Sequence, residues 1–247
     1  IAPTWFVFEN VYGLTKFKNG EENIQNHIEN RFRDIGYTVK SKILYASDFG
    51  VPQRRNRLFI VGNRNGIDFE FPKEFDYSVS VDEAISDLPV LGNGEIQMKG
   101  EYTVPFEQAS PYAQLMRKKS KAPTQNIVSR NKDYVVERYK YIGQGENWSS
   151  IPDRLMENYA DKKRCHSGIY KRLIGGKPSV VISNYRKSML IHPHQDRGLS
   201  VREAARLQSF PDHFIFEGPV SYVQQQIGNA VPPLLAKAVM KKILTYK

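Results

Sequence analysis

Short apolar stretches in the first 62 residues follow one another in the order strand, helix, strand, strand. Residues 4–8 form an apolar strand that we expect to end at the polar pair Glu9–Asn10. Apolar residues then recur at helical spacing: Ile24, Ile28, Phe32 and Ile35. Gly36 follows as a C-terminal helix cap, residues 37–45 alternate between apolar and polar side chains, and residues 58–61 are apolar. This order predicts an α/β sheet packed with helices.

The pattern changes near residue 70, where a long stretch without regular periodicity begins. Residues 80–88 are typical of a short helix that is stopped by Pro89. Across residues 92–190 the chain is rich in Gly, Pro, Tyr, Ser and Asn, and no hydrophobic period persists. We interpret this stretch as a loop-rich second domain.

Helical signals return near the C-terminus. Ser200 and Glu203 have the spacing of a capping box, in which each side chain bonds the backbone N–H of the other residue. Pro232 and Pro233 precede the apolar residues 234–244, which predicts a second helix with proline in its first turn. We therefore expect three parts: residues 1–77, 78–212 and 213–247.

The charge of the chain is strongly positive. Its 247 residues include 36 Lys and Arg against 26 Asp and Glu, a net charge of +10. Such an excess indicates an acidic partner, with nucleic acid first and an anionic membrane surface second. Basic clusters lie at residues 117–121, 162–164 and 171–172, interleaved with aromatic residues. This mixture favours nucleic-acid binding, although basic runs are also common on a merely solvated surface.

Several other protein classes are disfavoured by the sequence. No run of about 18 apolar residues occurs, so we expect no membrane span. The single cysteine, Cys165, excludes a disulfide framework and a Cys-rich zinc module. His192 and His194 lie close to Asp196, but no further donor stands at a familiar ligand spacing, and we expect no metal site. These features favour a cytoplasmic protein.

Four stretches and a shorter fifth one resemble the motifs of one enzyme family. They are Phe8–Val11, Pro52–Arg57, Arg197–Asp212, Gly228–Pro233 and the shorter Val81–Pro89. In this order and at these separations they resemble the later motifs of the DNA cytosine-5 methyltransferases. The resemblance implies an α/β fold: the C-terminal part of a Rossmann-like methyltransferase sheet with a smaller, loop-rich DNA-recognition domain.

Two motifs of that family do not occur in the sequence. One is the Phe-x-Gly-x-Gly turn that holds S-adenosylmethionine, and the other is the Pro-Cys pair whose thiolate attacks the base. No apolar strand leads into Gly143–Gly145, and Cys165 follows Arg164 rather than a proline. We therefore expect an N-terminal half, as a missing segment or a separate subunit, to complete the S-adenosylmethionine site.

The resemblance implies catalytic roles for three residues. Glu9 would contact ring nitrogen 3 of cytosine, Arg57 would hold the base carbonyl oxygen, and Arg55 would support it. Arg55 and Arg57 share one face of an extended backbone. From the residues alone, Glu9 is also consistent with a strand-end group that caps a loop or pairs with an arginine. The two arginines are equally consistent with a structural salt-bridge ladder.

Further residues are implied to bind the cofactor and the DNA. Asn229 and Ala230 would line the methionine end of S-adenosylmethionine, although Asn229 is also placed as a helix cap. DNA contacts are expected from four residues: Tyr170, Lys171, Arg172 and Arg202. For Arg202 the alternative is that it braces the recognition domain.

These observations predict part of a bacterial restriction–modification enzyme. It would transfer a methyl group from S-adenosylmethionine to carbon 5 of a flipped cytosine in double-stranded DNA, at the nucleoid. We expect this chain alone to be inactive, and also marginally stable, because a sheet without its first strands exposes an apolar edge. The alternatives are a non-catalytic, sequence-specific DNA-binding module derived from such an enzyme and an RNA methyltransferase of the same family.

Overall fold

The chain forms a small sheet near its N-terminus and is mainly helical and irregular after it. The computed structural model describes residues 1–20, 22–157, 167–183, 185–187 and 189–246. Its strands there are β1 (Trp5–Val11), β2 (Lys18–Asn19), β3 (Glu22–Asn23), β4 (Thr38–Tyr45), β5 (Asn56–Asn63), β6 (Ile96–Lys99) and β7 (Thr124–Ile127). Its α-helices there are α1 (Ile24–Asp34), α2 (Val81–Ile85), α3 (Pro111–Arg117), α4 (Asp133–Tyr139), α5 (Val201–Leu207), α6 (Val220–Asn229) and α7 (Pro233–Leu244). None of these helices is long and apolar enough to cross a membrane.

The main sheet has three strands in the order β1, β5, β4, and both neighbouring pairs are antiparallel. The three strands predicted from the sequence are confirmed, but the predicted end of β1 is wrong. The strand continues to Val11, because β5 is long enough to pair with it as far as Arg57. Glu9 therefore lies inside the ladder, opposite Phe59. Among the described residues β1 pairs only with β5, so its outer edge has no strand partner there.

Different helices cover the two faces of this sheet. On one face the ring of Phe6 stacks on Phe32 of α1, with ring centroids 4.0 Å apart. The Phe6 ring also lies over Gly62, where a Cβ atom would come within 2.0 Å of it. On the other face α7 buries three apolar residues: Leu235, Val239 and Ile243. The predicted first and last helices are thus confirmed, and Gly36 follows α1 with a φ of +88°, as expected of a C-terminal cap.

A second apolar cluster packs α2, α3, α5 and α6 together. Each helix contributes buried residues, among them Val81, Tyr112, Ala205 and Ile227. The helices α3 and α4 are not evident in the sequence, because seven residues make only about two turns and show no clear period. Local signals do mark the start of α3: Ser110 accepts a hydrogen bond from the Ala113 N–H, and Pro111 occupies the first turn.

The apolar clusters do not divide the chain into consecutive blocks. The cluster under the sheet contains both Leu44 and Ile243, whereas the second cluster runs from Val79 to Ile227. A third, smaller cluster contains residues of α4 together with Ile191. The C-terminal helices are therefore split, with α6 on the second cluster and α7 on the first. The three-part division of the chain stays a prediction.

Two arginines at α5 are buried in ion pairs, and one of these pairs links distant parts of the chain. Arg197 donates hydrogen bonds of 2.9 and 2.6 Å to the two oxygens of Glu203. Arg206 donates bonds of 2.6 and 2.7 Å to Asp212 and bonds of 3.0 and 3.2 Å to Asp87. Since Asp87 follows α2, these bonds connect α5 with a segment more than 100 residues earlier in the chain.

The capping box predicted for α5 is confirmed. The Ser200 hydroxyl accepts a hydrogen bond from the Glu203 N–H, and Glu203 accepts one of 2.7 Å from the Ser200 N–H. Burial alone would raise the pKa of Glu203, but the charge and hydrogen bonds of Arg197 outweigh it and lower that pKa to about 2. Glu203 therefore stays charged, and one carboxylate both begins the helix and neutralises a buried arginine.

We expect Arg206→Met to lower the free energy of unfolding by about 3–5 kcal/mol, because Asp87 and Asp212 would lose the main partner of their buried charges. Urea denaturation followed by circular dichroism measures this loss. Arg54→Met is the matched control, since Arg54 is exposed, and it should change the stability by about 0.5 kcal/mol or less. Equal stability of the two variants would contradict the role given to Arg206.

Candidate active site

The pairing of β1 with β5 brings Glu9 and Arg57 together at one end of the sheet. Glu9 lies opposite Phe59, so Arg57 is its diagonal neighbour on the same face of the ladder. The Oε1 atom of Glu9 lies 2.8 Å from the Nε atom of Arg57, and the side chains are 23% and 10% exposed. The pairing of Glu9 with an arginine, one of the sequence-based alternatives, is therefore observed. A catalytic role for the two residues stays a prediction.

Burial disfavours the charged forms of both partners. It raises the pKa of Glu9 above its ordinary value, and the positive charges of Arg57 and Arg55 offset this only in part. Burial likewise lowers the pKa of Arg57 in spite of the opposing charge of Glu9. The Oε1 atom of Glu9 is held in ion-pair contact by Arg57, which favours the carboxylate. A carboxyl group whose pKa is raised by burial holds a proton more readily than one in water, which suits it to a proton-sharing contact with a ring nitrogen.

Arg55 is buried behind this pair and links it to two later segments. Its guanidinium donates a 3.0 Å hydrogen bond to the Ile182 carbonyl and a 2.8 Å bond to the Gly228 carbonyl. Burial, together with the charge of Arg57, lowers the pKa of Arg55 to about 10. Because its terminal nitrogens are used by backbone carbonyls, Arg55 is placed to position the site rather than to touch a substrate.

Gln53 and Gln208 form a buried amide pair beside Arg55. Gln53 Nε2 donates to Gln208 Oε1 at 2.6 Å, and its own oxygen accepts a 3.0 Å bond from the Ile182 N–H. Gln208 in turn donates to the carbonyls of Ile227 and Ala230. Gln208 is not singled out by the sequence, since nothing local shows that it meets Gln53. The pair joins the loop before β5 to the ends of α5 and α6.

The predicted cofactor residues lie at the end of α6, next to these contacts. Gly228 approaches the Ser183 carbonyl so closely that a Cβ atom would come within 1.9 Å of its oxygen. Asn229, the last residue of α6, is exposed, and Ala230 is half-buried. The close approach at Gly228 holds Asn229 and Ala230 near the Arg55 side of the site. Their role in cofactor binding stays a prediction.

The structure contradicts the prediction that Arg202 contacts DNA. Its side chain is fully buried, and it donates hydrogen bonds to the Thr124 carbonyl at 2.8 Å and the Phe214 carbonyl at 2.9 Å. A phosphate contact requires a donor that reaches the surface. Arg202 instead joins α5 to β7 and to the segment before α6, and the assignment of these elements to a recognition domain stays a prediction.

Two more predicted DNA contacts, Tyr170 and Arg172, are also buried. Tyr170 is fully buried, and its hydroxyl accepts a 2.9 Å hydrogen bond from Arg138. Arg172 donates to the Tyr139 carbonyl at 2.7 Å and to the Asp196 carboxylate at 2.6 Å. Their interior partners make these predictions wrong. Lys171 is half-buried and donates to the carbonyl of Gly145, so its predicted DNA contact is not tested.

The remaining chemical candidates of the sequence do not converge. His194 lies 2.8 Å from Asp82, whereas His192 lies 3.8 Å from Glu203 and Asp196 pairs with Arg172. The described residues contain no group of three His, Cys, Asp or Glu side chains that could hold a metal ion. The segment around Gly143–Gly145 is a turn, closed by a hydrogen bond from the Glu146 N–H to the Gly143 carbonyl. Cys165 lies outside the described residues.

A family model described as C-5 cytosine-specific DNA methylase matches residues 1–245. The chain belongs to this family. It is 34% identical over 98% of its length to the Type II methyltransferase M1.HphI of Haemophilus parahaemolyticus. It is 33% identical over 99% of its length to the Type II methyltransferase M.DdeI of Desulfomicrobium norvegicum. The matches cover 57% and 64% of these relatives, so the chain spans less than two thirds of their length.

Solved structures share the fold of this C-5 cytosine methylase chain. A prophage-encoded protein of E. coli, assigned as a DNA modification methyltransferase, superimposes with a TM-score of 0.69 at 24% identity, over 98% of this chain and 69% of that one. The Entamoeba histolytica methyltransferase EhMeth gives 0.55 at 12% identity, over 99% and 63%. At these identities the likeness supports the fold alone, and the expected α/β methyltransferase fold is confirmed.

We expect Gly228→Ala to destabilise the chain by about 2–3 kcal/mol, because the added methyl group would overlap the Ser183 carbonyl oxygen. Gly176→Ala is the matched control, since a Cβ atom there meets nothing within 4 Å. Calorimetric melting of the two variants measures the difference. A Gly228→Ala variant as stable as the control would rule out the close approach.

Burial lowers the pKa of His192 to about 4, although the charge of Glu203 opposes this shift. In the unfolded chain a histidine titrates near 6.5, so between these values the unfolded state binds a proton that the folded state does not. With respect to this histidine, the free energy of unfolding therefore has its full value above about pH 6.5. It decreases as the pH falls towards 4. We expect His192→Gln to remove on the order of 3 kcal/mol of this pH dependence.

Urea denaturation between pH 4 and pH 7 tests this expectation. The matched control is His213→Gln, because His213 is exposed and should leave the pH profile unchanged. Identical pH profiles for the wild-type chain and His192→Gln would show that His192 is not the group responsible.

Proposed function

We propose that this chain is the C-terminal part of a DNA (cytosine-5) methyltransferase. The enzyme would transfer a methyl group from S-adenosylmethionine to carbon 5 of a flipped cytosine in double-stranded DNA. The observation that carries the proposal is the ion pair between the half-buried Glu9 of β1 and the buried Arg57 of β5 in a member of this family. Because the relatives at 33–34% identity are Type II methyltransferases, we place the enzyme in a bacterial restriction–modification system.

The chemistry of cytosine explains why such a pair is useful. Carbon 5 is a weak nucleophile until a thiolate has added to carbon 6, and a hydrogen bond or proton at ring nitrogen 3 assists that addition. Glu9, whose pKa is raised by burial, would share its proton with nitrogen 3. Arg57 would turn its guanidinium to the adjacent carbonyl oxygen of the base, at a position fixed by the β1–β5 ladder.

The residues at the end of α6 fit one side of a cofactor site. Bound S-adenosylmethionine supplies an electrophilic methyl group. Asn229 is exposed there, and its amide can both donate and accept hydrogen bonds to the amino acid end of the cofactor. Gly228, whose carbonyl is held by Arg55 at 2.8 Å, keeps Asn229 beside the proposed base pocket. Ala230 would line the same side.

DNA would meet the chain at exposed residues that lie next to the contact between Arg55 and Ile182. The Ile182 carbonyl accepts a bond from Arg55, while Val181 and Ser183 on either side of Ile182 are exposed. The basic residues at 186–187 follow and are exposed as well. Flipping a base costs a few kcal/mol of lost stacking, and phosphate contacts from basic groups offset this cost.

An N-terminal half, as a further segment or a separate subunit, would complete the enzyme. The outer edge of β1, which has no strand partner among the described residues, offers a place for an added strand. The sequence holds no Pro-Cys pair to provide the thiolate. We therefore expect this chain by itself to incorporate no methyl group into DNA.

In the complete protein, Glu9→Gln is expected to reduce methyl transfer about 10²–10⁴-fold, because an amide cannot give up a proton to nitrogen 3. The assay follows labelled S-adenosylmethionine into unmethylated DNA, with DNA affinity measured in parallel and expected to be unchanged. Glu107→Gln is the matched control, since Glu107 is exposed.

Full methyl transfer by Glu9→Gln would overturn the proposed role of Glu9. Specific DNA binding by the complete protein without any methyl transfer would support the non-catalytic DNA-binding module instead. Incorporation by the chain alone would show that its nucleophile lies within these 247 residues, and Cys165 would then be the residue to replace.

A further inference from the structure

A cavity of about 490 Å³ lies between α7 and α3. Phe49, Lys237 and Lys241 line it on the side of the sheet and α7, and Leu115 lines it on the side of α3. The connecting segment between the sheet and α2 contributes Phe75 and Tyr77. None of the lining residues belongs to the Glu9–Arg57 site, so the cavity needs its own explanation.

The apolar side chains around this cavity are unusually exposed. Phe75 and Tyr77 stack with ring centroids 5.3 Å apart and an angle of 15° between their planes. They are 46% and 57% exposed, and Leu115 opposite them is 44% exposed. Stacked aromatic rings that face an open cavity favour a planar aromatic guest, because a further ring can pack against them.

The charge at the cavity is positive. Lys237 and Lys241 are exposed and four residues apart on α7, so they lie on the same face of that helix. Within the described part of the chain, neither lysine forms an ion pair with a carboxylate. Glu83 is the acidic residue of the lining, and its carboxylate accepts bonds of 2.8 and 2.6 Å from the backbone N–H and the hydroxyl of Ser80. The cavity therefore favours a negatively charged group near the lysines.

We propose that this cavity binds a small planar aromatic anion, with its ring beside the Phe75–Tyr77 pair and its charged group at Lys237 and Lys241. Aromatic carboxylates and nucleoside monophosphates share this chemistry. The lining joins Phe49 of the cluster under the sheet to Tyr112 of the second cluster. A bound anion would therefore hold the sheet and the helical part of the chain together, and would stabilise the chain against heat.

Isothermal titration calorimetry of the full chain with 1-naphthoate and, separately, with AMP tests the proposal. Thermal melting with and without each compound measures the effect on stability. We expect one site per chain and a rise in melting temperature of about 2–4 °C at saturation. The double variant Lys237→Glu with Lys241→Glu should weaken binding at least about 10-fold, as expected for the loss of two charge contacts. The control is Lys118→Glu with Lys119→Glu, whose lysines are also exposed but lie outside the cavity.

A second pair of variants tests the apolar wall. Leu115→Asp should also weaken binding, whereas Leu244→Asp, at an exposed position outside the cavity, should not. Binding of 1-naphthoate alone would identify an aromatic carboxylate site, and binding of AMP alone a nucleotide site. The proposal is overturned if neither compound binds, or if the variants at 237, 241 and 115 bind as well as their controls while keeping their circular dichroism spectra.

Discussion

Buried arginine charge at α5 is the constraint on which much of the helical part of the structure depends. The side chains involved are Arg197, Arg202 and Arg206, and each is 2% exposed or less. A guanidinium removed from water is tolerated only where acceptors surround it, since a buried charge without a partner costs several kcal/mol. The acceptors come from α2, from β7 and from the segment before α6, so these elements have to meet around one seven-residue helix.

This arrangement extends directly to the candidate active site. Gln208 follows α5, and its amide meets Gln53, which lies two residues before Arg55. Arg55 then holds the carbonyls of two further segments, one of which ends at the glycine that precedes Asn229. The loop before β5 is thus held by side chains from the helical part, while β5 itself is held by the sheet. Glu9 and Arg57 lie where the sheet meets the helical part of the chain.

Much of this site could be predicted from the sequence, because the residues that carry it lie in recognisable motifs. Glu9, Arg57 and Asn229 are the motif residues that the sequence predicts for this candidate site, and the ladder places the first two within 2.8 Å of each other. The partners of Arg55 could not be predicted, since they are backbone carbonyls more than 120 residues away. The helices α3, α4 and α6 also escaped prediction, because each is stabilised by packing against residues from distant parts of the chain rather than by a long apolar period of its own.

The sequence by itself determined the three strands of the main sheet, the first and last helices, the capping box of α5 and the types of chemical group available. Those features depend on neighbours within a few residues, and the physical signals for them are local. The tertiary structure alone decided which basic residues face solvent. Arg172 and Arg202 have the same side chain as the exposed Arg54, yet they are buried. Whether an arginine turns inward depends on acceptors that folding brings from distant parts of the chain. The local sequence around the arginine does not show which acceptors these are.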